Sequence, residues 1–147
     1  MFEITLRTKV ALEAINVMSG NKNFIVGVGT LMTDDNIQNA INVGAKFGIS
    51  PGISEELFEG CEKNNFPLIP GVSTPTEIMA SYSRGYKLLK FFPAKVLGGI
   101  EMLKALQGPF PDCNFFQADP ETVFLKNTCQ FPEPELGSQS ELAEVRC

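Results

Sequence analysis

A chain of 147 residues that is 44% apolar and carries twelve Phe can bury one domain-sized core, and it is short for two. It contains no histidine, which excludes Ser–His and Cys–His nucleophile pairs, HExxH metal sites and histidine bases together. A net charge of −5 with no basic patch argues against nucleic acid, and no run approaches the ~18 uninterrupted apolar residues of a membrane span.

The acidity is unevenly placed. Residues 1–118 carry ten Lys/Arg against eleven Asp/Glu, whereas residues 119–147 carry two against six. The four cysteines (Cys61, Cys113, Cys129, Cys147) form no CxxC pair. They read as reduced thiols in a cytoplasmic protein, with no metal or other cofactor implied.

In chain order, strand-like runs stand at Phe2–Leu6, Phe24–Gly29, Lys46–Ser50, Pro67–Val72, Lys87–Phe92 and Asn114–Gln117. Their starts lie about 22 residues apart through the fifth. Helix signals fall between them. Thr8 is placed to cap a first helix with Val10, Ala14, Ile15 and Val17 on its apolar side. Thr33-Asp34-Asp35 opens a second with Ile37, Ala40 and Ile41 inward, and Ser54-Glu55-Glu56 a third. Thr74, Pro75 and Glu77 spell a capping box with Pro at the first helical position. Gly98-Gly99 leads into Ile100, Leu103 and Leu106, and Gly108-Pro109 stops that helix.

Strands that alternate with short helices predict βα units on a parallel sheet. Their regular length favours a (β/α)₈ barrel over a doubly wound sheet. Six units of eight are present, so the expected architecture is an α/β, partial TIM barrel over residues 1–118. Residues 119–147, acidic and Pro-rich with little periodicity, read as a loosely packed or disordered tail. Such an open wall should carry two unpaired edges.

Lys90 stands where a lysine is least at home, between Leu88-Leu89 and Phe91-Phe92. Burial disfavours its charged form, and a neutral amine is a nucleophile suited to Schiff-base chemistry with a carbonyl substrate. The alternative is a lysine that snorkels, its stem on apolar neighbours and its head in water. Barrel chemistry collects at the C-terminal ends of strands. Glu3 and Arg7, Gly29-Thr30, Ser50-Pro51-Gly52, Gly71-Ser73-Thr74 and Lys90 with Pro93 all fall there. This convergence favours the reactive lysine. Glu3 and Arg7, four residues apart, otherwise read as a surface ion pair, and Thr30 as a turn residue. Gly27 and Gly29 do not make a dinucleotide fingerprint, because Met32 stands where a third glycine is needed.

Phe-Glu-Ile-Thr-Leu-Arg-Thr (2–8), Ile-Val-Gly-Val-Gly-Thr (25–30), Gly-Ile-Ser-Pro-Gly (48–52), Pro-Leu-Ile-Pro-Gly-Val-Ser-Thr (67–74) and Lys-Phe-Phe-Pro-Ala (90–94) occur in order. Together they closely resemble the bacterial 2-keto-3-deoxy-6-phosphogluconate / 4-hydroxy-2-oxoglutarate (KDPG/KHG) aldolases, enzymes of the Entner–Doudoroff pathway. The resemblance implies a metal-independent class I aldolase on a TIM barrel, assembled as a homotrimer. It makes Lys90 the Schiff-base lysine for pyruvate or the keto acid being cleaved, and Glu3 the general acid/base. Arg7 and Thr30 would hold the carboxylate and carbonyl, with the Pro51 region lining the pocket and Phe92 packed beside the imine. Two parts of the family pattern are unmatched: a strand before Phe2, and the phosphate-binding loops after the sixth strand. The resemblance therefore carries an alternative, a catalytically incomplete member of the family. A different phosphate-binding barrel, such as an epimerase, is disfavoured by the Lys-Phe-Phe-Pro-Ala block.

Overall fold

The computed structural model describes residues 1–117 and a short strand at Phe124–Leu125. The elements follow in order as β1 (Phe2–Thr5), α1 (Ala11–Ser19), β2 (Val26–Gly29), α2 (Asp34–Asn42), β3 (Gly48–Ile49) and α3 (Glu55–Lys63). Then come β4 (Leu68–Ile69), β5 (Gly71–Val72), α4 (Pro75–Ser83), β6 (Leu88–Phe91), α5 (Gly99–Gln107), β7 (Asn114–Gln117) and β8 (Phe124–Leu125). The predicted βα alternation is present throughout.

The predicted strand at 67–72 is cut in two by a proline. β1, β2, β3 and β4 pair in parallel, and so do β5, β6 and β7. The two groups meet in one segment. β4 takes the β3 edge, with Gly48 N and Ser50 N donating to Pro67 O and Ile69 O. Beyond Pro70 the chain takes the β6 edge, with Lys90 N and Phe92 N donating to Pro70 O and Val72 O. Residue 70 faces β6, and proline has no N–H to donate there, so pairing with β6 begins only at this residue. Six strand positions thus form one wall of the barrel.

Period-two alternation splits each strand between two faces. Val26 and Val28 of β2 join Ile15, Ile37, Leu57 and Phe58 from α1, α2 and α3 in one core. Val72, Leu89, Phe91 and Phe115 join Ile78, Leu103 and Leu106 from α4 and α5 in a second. On the opposite face Phe47, Ile49 and Phe116 form a third cluster, with Ile69 and Leu88 packed against it. Side chains from β3 and β7 meet there, which requires the wall to curl around them. Lys90 and Leu88 share that concave face.

Most caps follow the sequence. Thr33 Oγ accepts from Asn36 N, and Ser54 Oγ from Leu57 N. Thr74 Oγ accepts from Glu77 N, while the Glu77 carboxylate takes Ser73 N and Thr74 N at 2.8 Å each. Burial opposes ionisation of Glu77, but these donors outweigh it and hold its carboxyl below the ordinary range. The stabilisation is then present above the unfolded carboxylate's range and is lost as pH falls through the lower, folded value. Glu77→Gln is expected to lower stability by about 1 kcal/mol above pH ~5, with the gap from the parent closing in acid. Urea unfolding across pH 3–7 checks this, and a constant gap would contradict it.

Several expectations are corrected. Thr8 caps nothing: α1 begins after Val10, which makes no side-chain cap, and Thr8 contributes only its carbonyl to Ala11 N. The α1 inner face is Ala11 and Ile15, while Val10 and Val17 are exposed. Val10 is the N-cap and lies outside the helix, and Val17 stands two residues, about 200°, from Ile15. Ile41 and Ile100 are also exposed, because the sheet takes only the centre of each helical stripe. The outer edge of β7 is not open: β8 pairs with it antiparallel, Phe115 opposite Leu125 and Phe116 opposite Phe124. Apart from β8, the tail read at 119–147 lies outside the described residues.

Candidate active site

Lys90 is the only charged side chain among the buried residues described, at 8% exposure. Its neighbours Leu89 and Phe91 point to the helix side and are fully buried. Strand alternation turns Lys90 the other way, onto the concave face, in register with Gly71 of β5 and Phe116 of β7. Its backbone N–H is anchored on Pro70 O at 2.9 Å. Nζ stands 4.8 Å from the centre of the Phe92 ring, which follows the end of β6. An aromatic face at that distance attracts the ammonium, and it would equally attract a protonated imine.

Glu3 lies on β1 in register with Gly27, and its side chain reaches along the concave face to the end of β2. A Cβ at Gly29 would overlap the Glu3 carboxylate, so only glycine leaves room for it. Gly27 is constrained likewise by the Phe47 ring. Thr30 follows directly with φ 60°, a left-handed conformation that β-branched residues avoid. This turn delivers Leu31 N to Ile49 O at 3.1 Å. Arg7 is exposed just past β1, its N–H on Thr5 O. Among the described residues it makes no ion pair with Glu3; the ion pairs there are those of Arg84 with Glu55 and Glu62.

Pro51 sits at the end of β3 against the backbone of Gly71. A Cβ on Gly71 would lie 2.6 Å from both Pro51 O and Ser50 O. Ser50 is fully buried, and its Oγ accepts the Gly71 N–H at 3.2 Å. Glu3, Pro51, Lys90 and Phe92 are therefore tied to the concave side and strand ends of the same wall, Thr30 to the turn beside Glu3, and Arg7 to the rim. A cleft of about 170 Å³ opens nearby between Leu31-Met32 and Pro51–Leu57. Of the six candidate residues it touches Pro51 alone, and it is smaller than the ~300 Å³ at the low end of small-molecule sites.

Sequence reading did not single out the coupling of Ser50 to Gly71 or of Gly29 to Glu3. One signal was available. Ser50 and Gly71 stand 21 residues apart, close to one βα repeat, which places them at the same height on adjacent strands.

The chain has clear counterparts among known proteins. A sequence profile described as KDPG and KHG aldolase matches residues 1–120. The KHG/KDPG aldolase of Escherichia coli K12 is 40% identical over 116 residues, which cover 78% of this chain and 54% of that one. The 2-dehydro-3-deoxy-phosphogluconate aldolase of Pseudomonas aeruginosa is 42% identical over 114 residues, covering 77% and 52%. Among solved structures, the KDPG aldolase of Legionella pneumophila with pyruvate captured as a covalent carbinolamine superimposes with a TM-score of 0.74 at 42% identity. That match covers 77% of this chain and 55% of the other. The Zymomonas mobilis ZM4 aldolase with 3-phosphoglycerate gives 0.77 at 33% identity, covering 80% and 56%. The chain spans about half the length of the relatives it matches. On the strength of the profile, these relatives and the barrel wall, the chain belongs to the KDPG and KHG aldolase family.

Proposed function

We propose that this chain carries the keto-acid half of a class I aldolase site, in which Lys90 cleaves a 2-keto-4-hydroxy acid to pyruvate and an aldehyde. The observation that carries the reading is a lysine buried on the concave face of a barrel wall, its amine over Phe92.

The chemistry follows from these groups. Lys90 Nζ adds to the C2 carbonyl of the keto acid, and loss of water leaves a protonated imine that serves as the electron sink. Glu3 takes the proton of the C4 hydroxyl, the C3–C4 bond breaks, and its electron pair moves into the enamine as C4 leaves as the aldehyde. Glu3 then returns the proton to C3, and water hydrolyses the imine to release pyruvate and the free amine. Arg7 at the rim supplies a bidentate partner for the substrate carboxylate, with Thr30 assigned to the carbonyl and Pro51 to the pocket wall. No metal or cofactor enters this scheme. A homotrimer in the cytoplasm is the assembly and setting that the family reading carries with it; no described helix is long and apolar enough to cross a membrane.

The exposure of Glu3 and Arg7 favours a second reading, a family member that cannot complete turnover. Borohydride reduction in the presence of pyruvate, read by intact mass and peptide mapping, separates the two. One reduced pyruvyl group on Lys90 is expected. Folded protein that takes up none would leave the incomplete member as the better description.

A further inference from the structure

Lys90 pairs with a strand that bonds β3 on its other side, and one fully buried hydroxyl sits where that β3 ladder ends. Gly48 N and Ser50 N bond to Pro67 O and Ile69 O, so the next donor back to β3 on a parallel ladder is Gly71 N, aimed at Ser50 O. It does not go there. Gly71 N donates to Ser50 Oγ instead, at 3.2 Å. The side chain thus takes the place of the last ladder carbonyl on the β3 side, while the Pro70 and Val72 carbonyls on the other side of the strand serve β6. Gly71 is the residue in register with Lys90, and the flanking Pro70 carbonyl holds the Lys90 N–H. The same contact keeps the Pro51 carbonyl against Gly71 Cα. One hydroxyl therefore links the strand beside Lys90 to the turn at Pro51.

We propose that Ser50 is a positioning residue for Lys90, acting through Gly71 and never touching substrate. The proposal rests on the aldolase reading for its kinetic consequence, and on the backbone alone for its structural one. Removing the acceptor leaves the Gly71 N–H buried without its partner. β5 then shifts, and the amine leaves its attack geometry.

The test compares the parent with Ser50→Ala, Ser50→Thr and Ser81→Ala. Ser81 is another fully buried serine, on α4, with no hydrogen-bond partner for its hydroxyl among the described residues. The rate of imine trapping at saturating pyruvate should fall between tenfold and a hundredfold, in order of magnitude, in Ser50→Ala, with the half-saturating pyruvate concentration little changed. Ser50→Thr keeps the acceptor and should stay within about threefold of the parent, as should Ser81→Ala. In parallel, amide hydrogen exchange at Gly71 and Lys90 should accelerate in Ser50→Ala while the β1–β2 amides keep their rates.

Parental trapping in Ser50→Ala would overturn the proposal. So would exchange that rises equally in every strand, which marks general loosening. If Ser50→Ala does not fold, a Ser50→Thr chain that traps as slowly as Lys90→Met overturns it, and parental trapping in that variant supports it. A parent that forms no imine counts against the aldolase reading alone. The exchange rates at Gly71 and Lys90 then decide the positioning claim.

Discussion

Lys90→Met is expected to abolish the pyruvyl adduct while leaving the melting behaviour close to that of the parent. The variant keeps a straight side chain of similar length on the concave face, and its sulfur can take the place of the ammonium against the Phe92 ring, 4.8 Å from Nζ in the parent. What it loses is the nucleophile. Since no imine can form, the loss should be complete within detection, and Lys90→Arg should match it because a guanidinium stays protonated. Thermal unfolding checks the structural half, and a midpoint within about 4 °C of the parent is expected. A persistent adduct in Lys90→Met would place the reactive amine elsewhere, on one of the other lysines. A collapse of the melt would show that Lys90 is needed chiefly to hold the wall together.

The second large effect concerns stability. Gly71→Ala should destabilise the chain by about 3 kcal/mol, because the new Cβ meets backbone and not the yielding end of a side chain. Pro51 O and Ser50 O would both lie 2.6 Å away, and neither can retreat without opening the β3–β5 junction. Gly52→Ala, beside Pro51, is the matched control. It has no atom within 4 Å of the added methyl, and its effect should stay within about 0.5 kcal/mol. Urea unfolding of both variants gives the comparison directly. Equal midpoints would mean that the junction is softer than its geometry implies, and the positioning role of Ser50 would weaken with it.

A good deal of this was legible in the residues. The six strand positions, the caps at Thr33, Ser54 and Thr74, and the setting of Lys90 all come from short-range physics. A period of two, a hydroxyl three residues before an amide, and a charge between aromatic residues are each readable within ten residues of chain. Errors gathered where a helix had to choose its face. Val10, Val17, Ile41 and Ile100 are apolar by composition but exposed, since the sheet decides which part of a stripe is covered. β8 was missed because Phe124-Leu125 is too short to show a period.

The sequence by itself determined the βα order, the barrel class and the family, and it marked Lys90 and Glu3 as the groups with chemistry to do. Those properties reside in local patterns and in blocks of residues that keep their order. Only the tertiary structure decided that one strand serves β3 on one side and β6 on the other, and that Ser50 Oγ takes the Gly71 N–H. Only there, too, does Gly29 clear space for the Glu3 carboxylate, and β8 close the edge of β7. Each depends on which backbones meet across the sheet, at separations of eight to twenty-six residues, and no local propensity records that.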